Sequence, residues 1–325
     1  MSRRAIETVF QLYKSPAAVV RAARKAASIL NEERLRGLLR AADAKLNRPN
    51  LPVYVLRQEP RACLTFEERW VLQGAGLTRV HSTSIIMLTK GNQKLVDACL
   101  ASLARSILPN ALLEILVVNN DRSVLLPNAY PFPTRIVYEG QRFNWSAYNN
   151  RAAHHAHTEF LLFLNDDVEA LHGGWLDAML AEATQSDVGA VGAKLLYPVG
   201  LIQHYGIAVG SRGEVTLVHR FRLRDFDGVN NAFVKARDVT AVTGACLLTA
   251  RATWQTCPFD ERLALSYNDV DYCLRLRTAG KRIVVTPYAE LIHQETATRP
   301  LAASLREKWL FTRKWARTSA VASSG

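Results

Sequence analysis

The sequence predicts an α/β protein in which a mostly parallel, mixed sheet is covered by helices on both faces and preceded by a helical N-terminal extension. Three observations carry this. From residue 82 onward, short apolar runs alternate with amphipathic segments in the order β-α-β-β-α-β-α. The runs are apolar throughout, as in strands buried on both faces. The residues that follow each run are polar, and ligands bind beyond the carboxyl ends of the strands in an open sheet of this kind.

Residues 1–78 form the extension. Val19, Val20, Ala23, Ile29, Leu30, Leu35, Leu38 and Leu39 recur at helical spacing until Pro49 and Pro52 break the run, so two or three helices are expected. Residues 1–50 carry 11 Lys/Arg against 4 Asp/Glu. Two readings stand: a helical cap packed on the main domain, or a basic amphipathic face resting on an anionic membrane. The main domain is expected over 79–300. Its first strand is Ser84–Leu88, followed by a helix over 94–106 with Leu95, Cys99, Leu103 and Ile107 on one face. Strands follow at Glu114–Val118 and Arg135–Tyr138, then a helix over Ser146–His155, a strand at Glu159–Leu164 and a helix over 174–185. Further on, Tyr267–Arg277 reads as a helix, Arg282–Val285 as a strand, and Leu291–His293 ends another apolar stretch. Residues 197–238 show no regular pattern. A C-terminal helix and flexible tail are expected over 301–325.

Bulk properties narrow the function. The 325-residue chain is 49% hydrophobic and 22% charged, within the ordinary globular range. No apolar run approaches the ~18 residues that cross a bilayer, and no compact apolar segment marks a secretory signal. Cys63, Cys99, Cys246, Cys257 and Cys273 lack CxxC spacing and read as small buried hydrophobes in a reducing compartment. A cytoplasmic location follows, at the inner face of the membrane if the N-terminal helices rest on lipid. The net charge of +12 calls for an anionic partner. Its excess is concentrated N-terminally without aromatic interleaving, so no nucleic-acid partner is expected. Neither a P-loop nor a GxGxxG follows the first strand, which excludes P-loop NTPases and dinucleotide dehydrogenases.

The strand ends carry the chemistry. After the first strand comes Thr89-Lys90-Gly91-Asn92, after the second Asn119-Asn120-Asp121-Arg122-Ser123, and after the fourth Asn165-Asp166-Asp167. Adjacent carboxylates repel unless a cation or solvent relieves them. A divalent cation does so with oxygen ligands and substrate phosphates; an acidic turn before Gly173-Gly174-Trp175 is the other reading. Asp269 and Asp271 fall in the first turn of a helix, where the macrodipole favours negative charge. Asp269 is either a helix cap or a general base facing the cleft. His293 gains interest only if it reaches that cleft. His154, His155 and His157 read as a solvated helix end, and Arg220, Arg222 and Arg224 either guide an anionic acceptor or edge a strand.

Together these segments resemble the inverting glycosyltransferases of family 2, with the GT-A fold, over about residues 82–298. Ser84–Thr89 resembles the family's first strand and nucleotide loop, and Val117–Ser123 its VVDNxS segment. Phe143–Asn150 resembles the helix carrying an Asn near the donor, and Leu164-Asn165-Asp166-Asp167 stands at the DxD metal motif. Val242–Leu248 resembles the strand behind the acceptor site, and Asn268–Leu276 the segment supplying the base. The similarity is greatest to bacterial enzymes of surface-polysaccharide assembly, including rhamnosyltransferase-like members. Asn119, Asn165 and Asn268 stand where the family often has acidic residues.

The resemblance implies transfer of a sugar from a nucleoside-diphosphate donor, UDP- or dTDP-linked, to a saccharide or lipid-linked acceptor. It implies a Mg²⁺ or Mn²⁺ cofactor held by Asp167 with His293 as a further ligand, and Asp269 as general base. Thr89, Asn119, Asn120, Asn150 and Asp166 are the implied nucleotide-sugar ligands. The alternative, prompted by the three Asn replacements, is a catalytically weak member acting as a scaffold in polysaccharide assembly.

Overall fold

The computed structural model describes residues 81–107, 112–119, 124–126, 130–138, 143–224, 234–295 and 301–316. The N-terminal extension, with its expected helices, its membrane contact and Cys63, lies outside the described residues, as do Asn120 and the residues after 316.

The first half follows the expected alternation. Strand β1 (Thr83–Thr89) leads into helix α1 (Gln93–Ser106), then β2 (Leu113–Asn119) and β3 (Thr134–Tyr138). Helix α2 (Trp145–His154) precedes β4 (Phe160–Asn165), the short β5 (Val168–Ala170) and helix α3 (Trp175–Ala183). Gly91, with φ 89°, turns the chain out of β1 in a left-handed conformation that glycine tolerates without a Cβ penalty. Asn92 then caps α1 by accepting a hydrogen bond from the Leu95 amide.

Among the described residues, the second half first adds six strands, with antiparallel pairings among them. These are β6 (Val188–Leu196), β7 (Ile202–His204), β8 (Ile207–Val209), β9 (Val215–Leu217), β10 (Arg237–Asp238) and β11 (Cys246–Ala250). Helices α4 (Arg251–Thr256) and α5 (Asn268–Thr278), strand β12 (Arg282–His293) and helix α6 (Leu301–Trp315) complete the order. The main sheet runs β10-β12-β6-β11-β4-β1-β2-β3, with β5 paired to β12 and β7 to β6. Strands β4, β1, β2 and β3 are mutually parallel, and β11 lies antiparallel between β4 and β6. The two apolar stretches expected separately after Gly280 are one strand, β12, whose pairing with β6 shifts between Thr286 and Glu290.

Alternation along the strands splits the core into two layers. Ile85 and Met87 join α1 and α3 on one face of the sheet. Ile86 and Leu88 join α2, α5 and the Phe311–Trp315 end of α6 on the other. Each fully buried large apolar side chain contributes ~1.5–3 kcal/mol. This double cover explains the continuously apolar β1, β2 and β4 and leaves their polar ends free to form a site.

One buried charge cluster fixes the second half. The Glu290 carboxylate at the β12 irregularity lies 2.9 Å from Lys194 Nζ and 2.7 Å from Arg224 Nη2. Burial would raise Glu290, but these two cations overcome it and hold its pKa at about 2. Among the described residues no helix is long and apolar enough to cross a membrane. Cys99, Cys246, Cys257 and Cys273 are free thiols, as expected from their apolar surroundings.

Candidate active site

The parallel register aligns the polar strand ends. Thr89 stands opposite Asn119 on β2, and Leu88 opposite Asn165 on β4. Thr89 and Asn119 are buried. The Thr89 hydroxyl accepts a hydrogen bond from the Gly91 amide at 3.2 Å and bonds the Asp166 carboxylate. Burial raises the Asp166 pKa to about 6; the Thr89 bond opposes this, Asp167 adds to it, and Lys90 opposes it. A carboxylate held this far above its ordinary range is poised to gain from a cation or a hydroxyl-bearing ligand.

Asp167 is placed by strand pairing. After β4 the chain turns through Asp166 and Asp167 into β5, which pairs antiparallel with the end of β12, setting Val168 opposite His293. The Gln294 amide donates to the Asp167 carbonyl at 2.9 Å, and His293 Nε2 lies 3.1 Å from Asp167 Oδ1. On the far side of the ring, His293 Nδ1 is 2.6 Å from Gln203 Oε1, while Gln203 Nε2 donates back to the His293 carbonyl at 3.3 Å. The acceptor Oε1 assigns a proton to Nδ1, and Nε2 faces the carboxylate. Two lone pairs facing at this distance repel unless a proton or a cation lies between them. A His ring oriented by a neighbouring amide carbonyl beside a carboxylate is a donor set suited to Mn²⁺ or Mg²⁺. No group of three or more His, Cys, Asp or Glu side chains converges for metal binding among the described residues. Such a cation would draw its remaining ligands from phosphate oxygens and water, as Mg²⁺ sites usually do.

Asp269 occupies the first turn of α5. The cap is Tyr267, in a left-handed conformation with φ 61°, so Asp269 is not the cap. Its Oδ1 accepts from the Val270 amide at 2.8 Å and its Oδ2 from the Gly244 amide at 2.9 Å, leaving the carboxylate partly exposed. Gly244 has no room for a side chain, since an added Cβ would lie 2.8 Å from Trp145 and 3.4 Å from the Asp269 Cβ. Next to it, the Ala245 carbonyl accepts from the Asn165 amide at 3.0 Å. Two hydrogen bonds and a short piece of chain therefore tie Asp269 to the strand end that leads into Asp166 and Asp167. Carboxylates about a hundred residues apart in sequence share one edge of the sheet.

The loop before α5 is clamped from two sides. From α2, Asn144 Nδ2 donates to the Glu261 carbonyl at 2.9 Å and Ser146 Oγ to the Leu263 carbonyl at 2.6 Å. From α6, the buried Glu307 carboxylate accepts hydrogen bonds from the amides of Ala264, Leu265 and Ser266. The strained Tyr267 backbone is thus held by its surroundings.

The Asn150 side chain donates to the Phe259 carbonyl and the Glu261 carboxylate and accepts from the Phe259 amide and the Trp254 indole. Its hydrogen-bonding capacity is filled by Trp254 of α4 and the 259–261 loop, so the side chain clamps that loop and has no group left for the implied donor contact. Arg220 bonds the Tyr197 hydroxyl and pairs with Glu295, and Arg224 pairs with Glu290, so both brace the fold. His154, His155 and His157 are exposed at the end of α2 and beyond. Gly244 is visible in the sequence only as part of the Val242–Leu248 segment, and Gln203 and Glu307 are not singled out there. Of the latter two, only Glu307 leaves a trace, as the single acid of a basic segment spaced i, i+4, i+8 with Phe311 and Trp315.

This sheet order, with a polar edge built by β1, β2, β4 and the β5–β12 pairing, defines the α/β class known as GT-A. The fold is similar to a crystal structure of GalNAc-T7 with UDP, GalNAc and Mn²⁺, with a TM-score of 0.54 and 10% identity over 67% of this chain and 44% of that one. Residues 84–240 match the model of Glycosyl transferase family 2, so this stretch is a domain of that family. The chain is 40% identical to the O-antigen biosynthesis protein RfbC of Myxococcus xanthus over 161 residues, 48% of this chain and 12% of the relative. It is also 33% identical to protein y4gI of Sinorhizobium fredii (strain NBRC 101917 / NGR234) over 246 residues, 72% of this chain and 26% of the relative. The chain thus matches about a quarter or less of these relatives' lengths.

Proposed function

We propose that the chain transfers a sugar from a nucleoside-diphosphate donor to a hydroxyl of a saccharide or lipid-linked acceptor, with inversion at the anomeric carbon. The observation that carries this is the shared edge of Asp167, facing His293, and Asp269, held on Gly244. The family 2 match over residues 84–240 and the O-antigen relative support it. Thr89 and Asn119 face the nucleotide, and Asp166 a hydroxyl of the donor ribose or sugar. Asp167 and His293 would hold a divalent cation, which when bound would neutralise charge growing on the leaving diphosphate. Asp269 takes the proton of the acceptor hydroxyl as its oxygen attacks the anomeric carbon. The new glycosidic bond forms as the bond to the diphosphate oxygen breaks, on the opposite face. Such a base contributes typically ~10²–10⁴-fold. Its two backbone hydrogen bonds fix the carboxylate while leaving it partly exposed to the incoming hydroxyl.

The test is Asp269→Asn, with release of nucleoside diphosphate measured from UDP-, dTDP- and GDP-sugars. The proposal expects turnover to fall by at least ~10²-fold while nucleotide binding is retained. Equal turnover in the variant would remove Asp269 from the mechanism. Nucleotide binding without turnover in the parent protein would favour the scaffold reading, to which the Asn residues at 119, 165 and 268 lend their support.

A further inference from the structure

Helix α6 has two faces of opposite character. Glu307, Phe311 and Trp315, spaced i, i+4, i+8, are buried against the fold: Glu307 holds the 264–266 amides, Phe311 stacks on Tyr267 and the Trp315 indole donates to Asp271. The opposite stripe, Leu305, Trp309 and Arg313, has the same spacing and faces solvent. Leu305 is 59% exposed and Trp309 57% exposed, two of only five large hydrophobic side chains this exposed among the described residues. At about 100° per residue, Arg306 and Lys308 flank this stripe on either side, and both are exposed. The Arg313 guanidinium lies 5.2 Å from the centre of the Trp309 ring. The helix's one acid, Glu307, is on the buried face. Beside the stripe, a cavity of about 450 Å³ is lined by Asp260, Arg262, Leu263, Leu310, Arg313 and Lys314.

We infer that this face of α6 is a docking surface for an anionic phospholipid membrane. An exposed Trp and Leu amid Arg and Lys fit an interfacial helix, in which apolar side chains enter the acyl boundary and cations meet phosphate headgroups. Charge complementarity selects the membrane over the other occupants. A second copy would bring the same cations against this face. The chain's own N-terminal segment, with 11 Lys/Arg against 4 Asp/Glu in residues 1–50, is equally like-charged. The surface is distinct from the N-terminal helices considered above, and the inference does not depend on the transfer reaction. Docking would also set the cleft's orientation, because the buried side of the same helix holds the loop that leads into Asp269.

The test uses the full chain with phosphatidylcholine vesicles containing 30% phosphatidylglycerol, and with pure phosphatidylcholine. Parent protein is expected to partition onto the anionic vesicles, less at high salt. Leu305→Ser with Trp309→Ser is expected to weaken partitioning by about tenfold or more. Arg306→Gln with Lys308→Gln should weaken it by roughly fivefold per charge. Melting temperatures should match the parent, since none of these side chains is buried. Brominated lipid should quench a component of tryptophan emission that Trp309→Phe abolishes, which locates the contact. Partitioning unchanged by both double variants would place any membrane contact elsewhere and overturn the inference. So would a quenching signal indifferent to Trp309→Phe, partitioning equal on neutral vesicles, or a self-association lost with the double serine variant in the absence of vesicle binding.

Discussion

Replacing Gly244 by alanine tests how the proposed base is positioned. The added methyl would lie 2.8 Å from Trp145 Cζ2, 2.9 Å from Cη2 and 3.4 Å from the Asp269 Cβ. Carbon atoms pack at about 3.5–4.0 Å, so something must move by most of an ångström. Trp145 cannot yield easily. Its ring packs edge-on against Phe259 at 4.9 Å, and its amide donates to the Ala264 carbonyl at 2.7 Å. The displacement therefore passes to residues 243–245, and with them to the amide that holds Asp269 Oδ2. A misplacement near 1 Å costs on the order of 10²-fold in rate. Overpacking destabilises by ~1–3 kcal/mol, or roughly 2–12 °C in Tm for a domain of this size. The assay is steady-state release of nucleoside diphosphate, with kcat and the donor KM measured separately. The expected result is a fall in kcat of about two orders of magnitude with donor KM little changed. Trp145→Phe removes the atoms that clash, so the double variant should recover most of the loss. A Gly244→Ala enzyme with parental kcat, or a loss that Trp145→Phe does not relieve, would refute the steric reasoning.

Two further outcomes follow from buried carboxylates. Asp166, raised to about 6 mainly by burial, favours its protonated form on folding. In chelator, stability should therefore fall as pH rises from about 4 to about 6, by at most ~3 kcal/mol. Asp166→Asn should abolish that slope and melt higher at pH 7.5 while losing donor turnover, as measured by thermal melts across pH. Glu290 has the opposite sign: Lys194 and Arg224 outweigh burial and hold it at about 2. Its stabilisation is complete above about 4.5 and is lost as pH falls toward 2. Glu290→Gln leaves two cations facing a neutral group and should destabilise by ~3–5 kcal/mol at pH 7, read from denaturant melts.

The first half of the fold is legible in the sequence because its strands are continuous apolar runs. Ile85–Leu88, Ile115–Val118 and Phe160–Leu164 are buried on both faces and need no partner to be recognised. Strand β6 escapes notice although it is fully buried, because Gly189, Gly192 and two alanines dilute its apolar run. Its glycines reflect close approach: a Cβ at Gly192 would lie 2.5 Å from Val242. The acids and His293 are visible as residue types in the right order. Their meeting depends on β5 pairing with β12 across more than a hundred residues, which no local pattern encodes. Gln203, which orients His293, lies in a stretch with no readable period. Asn150 shows the converse, since a motif fixes the presence of an amide but not the direction it faces.

The proposed transfer requires a divalent cation on Asp167 and His293 that completes the nucleotide-sugar site. Calorimetric titration of the parent protein and Asp167→Asn with UDP, dTDP and GDP, each with Mn²⁺ and with chelator, tests it most directly. One nucleotide is expected to bind the parent at least ~10-fold more tightly with Mn²⁺, and Asp167→Asn to remove the difference. Nucleotide affinity in the parent that ignores Mn²⁺, or a Mn²⁺ effect that survives Asp167→Asn intact, would contradict this requirement.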